Sequence, residues 1–365
     1  MVPYIGSARD ISLQFFGNRV EKLIPASSIC VLNEDGDTGM THRDRRLGCL
    51  LGQLIGDALG TRYEFEDADT VRALVADDTD RNGFLPILGG GPFGVVPGQV
   101  TDDSELAVGL LASLLEEGTY NRESVAQNYL RWLASRPFDV GNTTRNAFRN
   151  ARNYTEIVEN SRRHNNGSLS NGCLMRISPL GLGLVGDPDT LMEFAEEDCR
   201  MTNPADATVD AVRVFVLMIS VLVETGDRDT ALESAMREAR TPVVRDLISA
   251  SVLPATTVTL ADGTRVRPDS HFMGYFGVAL HNALHQLRTT RSFHESLVAT
   301  VELGGDTDTN GCIAGALLGA YYGASALPTE WIASVRRCRN PRSSSYELVD
   351  TTTLNSLLNR VSGYT

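Results

Sequence analysis

Along most of this chain, apolar residues recur every three or four positions, the period of helices that bury one face against a core. The pattern predicts helices over residues 104–118, 121–137, 190–202, 207–226, 228–239 and 292–303. Period-two alternation stands out only in LPATTVTLADGTRVRP (253–268), where two short runs flank Asp262-Gly263 and read as a β-hairpin. After Pro328 the pattern predicts one closing helix and then a polar stretch. There is no internal repeat, coiled-coil heptad or low-complexity linker. The expected fold is therefore all-α, roughly a dozen helices with one small hairpin.

Two apolar runs carry a second pattern. Gly48, Gly52, Gly56 and Gly60 fall every fourth residue in GCLLGQLIGDALGTRYEFED (48–67), and so do Gly311, Gly315, Gly319 and Gly323 in GCIAGALLGAYYG (311–323). Residues four apart form one ridge of a helix, and a ridge without side chains lets another backbone approach closely. These two helices, one from each end of the chain, are expected to pack tightly in the core. The uncharged run 311–327 is marginal against the ~20 residues a membrane span needs. It stops at Pro328 and is preceded by Asp306 and Asp308, which favours a buried helix over a span.

Chemistry gathers at helix starts. Gly304-Gly305-Asp306-Thr307-Asp308-Thr309-Asn310 opens the second glycine-ridged helix, expected to begin at Thr309 or Asn310, both good N-caps. Thr101-Asp102-Asp103-Ser104 follows a Gly/Pro-rich loop and opens another apolar helix. Like charges crowded at buried helix mouths repel unless a cation joins them. An all-oxygen ligand set suits Mg²⁺ or Mn²⁺ rather than zinc or copper. Together the clusters could cradle a two-metal site. The helix 48–67 is expected to deliver Asp57 and then Glu64, and Asp139 lies in a turn after Pro137. Residues 166–172 (Asn-Gly-Ser-Leu-Ser-Asn-Gly) form a backbone-exposing loop suited to phosphate. His281 and His285 are four apart but lack the glutamate of a zinc HExxH motif, so they read as ordinary helix histidines.

Charge narrows the choice of partner. A net charge of −13 and a pI near 5.0 argue against nucleic acid, whose phosphates call for Lys and Arg. The six cysteines are scattered with no CxxC pair, and no basic segment followed by an apolar core opens the chain. A reducing, cytoplasmic setting is expected. Residues 1–40 lack a sustained helical period and read as an N-terminal extension, either a tail draped over the domain or a partner-binding arm.

Read together, GDALGTRYE (56–64), Thr101-Asp102-Asp103, FDVGNTTR (138–145), GSLSNGCLMRISPLGL (167–182) and GGDTDTNGCIAGALLGAYYG (304–323) resemble the ADP-ribosylglycohydrolase family. The resemblance covers roughly residues 45 to 340, within a domain spanning 41–365. It implies a single compact all-helical domain holding two divalent cations, Mg²⁺ or Mn²⁺, in a cleft. By the same resemblance, Thr101, Asp102, Asp103, Asp306, Asp308 and Thr309 are metal ligands. Asp103, Asp139 and Glu64 are the acid–base candidates. Gly167, Ser168, Leu169, Ser170, Asn171 and Gly172 hold the phosphates and ribose of ADP-ribose. Leu169 stands where members usually have an aromatic, and Asn203 where many have histidine. The implied activity is metal-assisted removal of mono-ADP-ribose from arginine on a protein substrate. The family also includes immunity proteins, so residues 1–40 could instead bind and occlude an ADP-ribosyltransferase toxin, with hydrolysis a second line of protection.

Overall fold

The computed structural model describes residues 41–260, 262–289 and 291–363. The N-terminal extension, and any partner it binds, lies outside them. The first half of the fold is α1 (His42–Gly60), α2 (Ala68–Asp78), α3 (Asp102–Glu117), α4 (Arg122–Ala134), α5 (Asn142–Phe148), α6 (Tyr154–His164) and α7 (Pro188–Arg200). Then come α8 (Asp206–Thr225), α9 (Arg228–Glu238), α10 (Pro242–Ala250) and the strands β1 (Val258–Thr259) and β2 (Arg265–Val266). The chain ends with α11 (Phe276–Thr289), α12 (Phe293–Val301), α13 (Thr307–Tyr322), α14 (Thr329–Arg337) and α15 (Thr351–Gly363). The fold is all-α, and the hairpin is antiparallel with Val258 opposite Val266.

The glycine ridges meet as the four-residue spacing predicts. A Cβ on Gly48 would fall 2.3 Å from the Gly319 carbonyl oxygen, one on Gly52 2.1 Å from that of Gly315, and one on Gly56 1.9 Å from that of Gly311. The pairing runs in opposite directions along the two helices, so α1 and α13 are antiparallel and touch backbone to backbone. Around this pair the core closes with α8, α11, α12 and α15.

Three local expectations are corrected. α1 ends at Gly60 and a 3₁₀ turn covers Thr61–Tyr63, so Glu64 leaves on extended chain rather than on the helix. α13 begins at Thr307, two residues before the first predicted cap, because the Thr307 hydroxyl donates to the Gly60 carbonyl (2.7 Å) and draws the first turn onto α1. The polar stretch after Pro328 contains α15, whose threonine-rich first turn hides the buried face made by Leu354, Leu357, Leu358 and Val361. His281 and His285 bond the Leu253 and Ser251 carbonyls, as structural helix histidines do.

Candidate active site

The ridge fixes the site's floor. Gly60 opposes Thr307 as the lower glycines oppose each other, so the start of α13 meets the end of α1. Gly304 and Gly305 then turn the chain with φ of +70° and +77°, where a Cβ would also strike the Ala68 nitrogen at 2.7 Å and the Pro268 carbonyl at 2.5 Å. Only glycine meets both demands. Two reciprocal backbone bonds, from Phe65 N to Gly305 O and from Gly305 N to Glu66 O (both 2.8 Å), tie the segment carrying Glu64 to the segment carrying Asp306.

The caps show which side chains are left for chemistry. Thr41, Asp67, Asn121, Asn153, Asp187, Asp227, Thr241 and Ser292 each cap their own helix through the side chain. Thr101 and Asp306, the N-cap residues of α3 and α13, do not. α3 is capped instead from α1. Asp57 accepts from the Thr101 nitrogen (3.0 Å), the Ser104 nitrogen (3.1 Å) and lies 3.0 Å from the Thr101 hydroxyl. That hydroxyl also lies 3.0 Å from Asp103 Oδ2, and its single proton can serve only one of the two carboxylates. Asp306 accepts from Asn171 Nδ2 at 2.7 Å, which brings the glycine–serine loop to the acidic group.

The carboxylates converge. Oxygens of Glu64, Asp139 and Asp308 lie within 4.8 Å of one another. This joins two of the residues expected to move protons with one expected to hold metal. Asp102, Asp103, Asp308 and Glu64 are buried; Asp139 and Asp306 are half-buried. Asp103 Oδ1 and Glu64 Oε2 are buried with no hydrogen-bond partner. Burial holds Asp102, Asp103 and Asp308 well above the usual carboxylate range, and their charged neighbours add to it. Glu64 is pushed up to about 10 by burial and then by Asp306, Asp139 and Asp103. Asp57 reaches about 7 through burial, opposed by its bonds from Thr101 and Ser104. Asp139 is raised by burial and by Asp306.

Buried carboxylate oxygens left without partners, in an all-oxygen group, fit a hard divalent cation. Glu64, Asp139 and Asp308 meet in this group, the charges of Asp306 and Asp103 act on Glu64, and those of Asp103 and Asp139 act on Asp102.

The loop 167–172 is braced rather than loose. Ser170 pairs with Tyr275 in an isolated bridge, the Asn171 nitrogen donates to Gly274 O (2.9 Å), and the Phe276 nitrogen donates to Leu169 O (2.9 Å). The Thr143 hydroxyl lies 2.9 Å from that of Ser168 and 3.1 Å from that of Ser170. Asn203 Nδ2 donates to the Ser170 carbonyl and hydroxyl, both at 3.0 Å, giving this departure from the expected histidine a clear bracing role. Leu169 is partly buried against the core. Sequence reasoning missed Thr143, Gly274 and the capping role of Asp57. The FDVGNTTR motif pointed to the first; the other two are long-range contacts without a local signal.

The ADP-ribosylglycohydrolase family model matches residues 38–362. The chain is 30% identical to the ADP-ribosyl-[dinitrogen reductase] glycohydrolase of Rhodospirillum rubrum, over 82% of this chain and 92% of that protein. It is 27% identical to the ADP-ribosylarginine hydrolase Tri1 of Pseudomonas putida (strain GB-1), over 84% of this chain and 78% of that one. Among solved structures, an ADP-ribosylglycohydrolase-related protein complex superposes with a TM-score of 0.64 at 27% identity, covering 88% of this chain and 99% of that chain. No helix of the described residues is long and apolar enough to cross a membrane.

Proposed function

The chain belongs to the ADP-ribosylglycohydrolase family, and on that premise we propose that it removes mono-ADP-ribose from arginine on modified proteins, with two divalent cations, Mg²⁺ before Mn²⁺, held in the acidic cleft. The observation that carries this reading is the convergence of Glu64, Asp139 and Asp308 within 4.8 Å. The partnerless buried oxygens on Glu64 and Asp103 stand beside it. Similarity to an enzyme named for ADP-ribosylarginine favours arginine as the linkage.

Thr101, Asp102, Asp103, Asp306, Asp308 and Thr309 would hold the cations. When bound, these neutralise the carboxylates and the diphosphate and polarise the ribose hydroxyls. The braced loop from Gly167 to Gly172 positions the diphosphate and ribose, with Asn171 linking it to Asp306. Water attacks C1″ of the ribose and its oxygen bonds there as the C1″–N bond breaks. A carboxylate, Glu64 Oε2 or Asp139, takes the water's proton, and the guanidine nitrogen keeps the electron pair of the broken bond. That proton then passes to the departing guanidine, which balances the step.

The test is incubation with arginine- and serine-ADP-ribosylated proteins in Mg²⁺ or in EDTA, following release of labelled ADP-ribose. The proposal requires release from arginine in Mg²⁺ and none in EDTA. Equal release in EDTA would sink the cation role; release from serine alone would sink the arginine assignment.

A further inference from the structure

Three phenylalanines from three separate segments meet, two of them next in sequence to members of the carboxylate cluster. Phe65 lies 6.2 Å from Phe93, ring centre to ring centre, at an interplanar angle of 75°, and Phe93 lies 5.2 Å from Phe138 at 52°. Phe65 is 55% exposed and Phe138 39% exposed, among the most exposed large apolar side chains of the described residues. Each is the chain neighbour of a clustered carboxylate, Phe65 of Glu64 and Phe138 of Asp139. Adjacent Cα atoms are about 3.8 Å apart, so two of the three rings branch from the backbone that also carries Glu64 and Asp139.

The rings are held in place. Phe65 sits at φ +69°, a conformation a bulky side chain rarely adopts. Its nitrogen bonds Gly305 O and the following residue's carbonyl accepts from Gly305 N, which pins it to the loop that carries Asp306. Phe93 stands in a tight turn closed by the Gly90 and Val95 backbone pair (2.7 and 3.0 Å). Gly91 presses that turn onto the start of the 3₁₀ segment, where a Cβ would fall 2.3 Å from Thr61 O. Backbone strain that keeps a large apolar ring in water points to function.

We propose that this phenylalanine trio is the subsite for the leaving group, stacking the planar guanidinium of the modified arginine while Glu64 and Asp139 face its charge. Aromatic faces paired with carboxylates recognise a flat, weakly hydrated cation, and guanidinium fits that description better than a hydroxyl or an ammonium. The inference rests on the arginine reading above and adds what selects arginine.

The experiment compares wild type with Phe65→Gly, Phe93→Leu and Phe138→Leu on ADP-ribosyl-arginine, and measures free ADP-ribose binding by calorimetry. Phe65→Gly removes the ring and relieves the positive φ, so it keeps the fold; melting curves check all three. KM for ADP-ribosyl-arginine is expected to rise about threefold to thirtyfold, the range of a lost cation–π contact, with kcat within about twofold. Affinity for free ADP-ribose should not move, and Phe138→Tyr should retain the wild-type KM. Folded variants that keep the wild-type KM would overturn the trio's role alone. A wild type that never releases ADP-ribose from arginine would overturn both this inference and the proposed function.

Discussion

Gly56→Ala perturbs the contact on which the site is built. Its new methyl would lie 1.9 Å from the Gly311 carbonyl oxygen, where real contacts are essentially never below 3.0 Å. The helices must separate by at least the difference, 3.0 − 1.9 = 1.1 Å. Gaps of about 0.5–1 Å already forfeit a quarter to a half of each dispersion contact along the interface. Overpacking of this kind costs about 1–3 kcal/mol and occasionally more. Alanine's better helix propensity returns at most about 1 kcal/mol. With atoms on both sides belonging to rigid backbone, the cost sits at the upper end, and a net loss of about 2 kcal/mol follows. With an unfolding entropy of about 2.1 cal/mol/K per residue, thermal melts in Mg²⁺ should show Tm lower by roughly 3 °C. Gly363→Ala is the control, since nothing lies within 4 Å of a Cβ there, and it should leave Tm unchanged or slightly raised. The variant should also weaken cation affinity, because Thr307 and Asp308 sit on the displaced turn. A Gly56→Ala protein as stable as the Gly363→Ala control would refute backbone-to-backbone packing of α1 and α13.

Other outcomes follow from the same contacts. In EDTA, Glu64 (up to about 10) and Asp57 (about 7) bind protons in the native state above the pH at which the unfolded chain releases them. Stability is therefore full below the ordinary carboxylate range and lost as pH rises through these values. Tm of the stripped protein should fall steadily from pH 5 to pH 8.5, and saturating Mg²⁺ should remove or reverse the slope; a rising slope in EDTA would contradict the burial of these groups. Asp57→Ala orphans the Thr101 and Ser104 nitrogens at the start of α3 and should cost about 2 kcal/mol in chemical denaturation, with weaker cation binding. Arg342→Ala leaves Glu105 buried without its two-bond partner (2.7 and 3.0 Å) and should cost about 3–5 kcal/mol, read from the denaturant midpoint.

The longer helices, their order and the hairpin were legible in the chain because period and turn chemistry are local signals, while the shorter helices α2, α5, α6 and α10 were not read. Gly52 and Gly315 announced the tight helix pair, since four-residue glycine spacing has few other uses in a buried helix. The acidic motifs announced themselves too, through carboxylates and hydroxyls crowded at helix starts. What stayed hidden is what the fold assembles from a distance. Nothing near Asp57 indicates that it caps α3, more than forty residues later. Phe65, Phe93 and Phe138 carry no common pattern, and Phe65 takes its positive φ from Gly305, far along the chain. α15 was masked by Thr351, Thr352 and Thr353 in its first turn, residues that suit a cap or a turn as well as a helix.

The most direct test of the account is a Mn²⁺ titration of the EDTA-stripped protein followed by electron paramagnetic resonance, with Asp103→Ala and Asp306→Ala in parallel. The account predicts that wild type takes up two Mn²⁺ per chain and that each variant, folded by circular dichroism, loses that binding together with ADP-ribose release. A wild type that leaves all the Mn²⁺ free in solution, or an Asp103→Ala protein that binds and hydrolyses as wild type does, would contradict it.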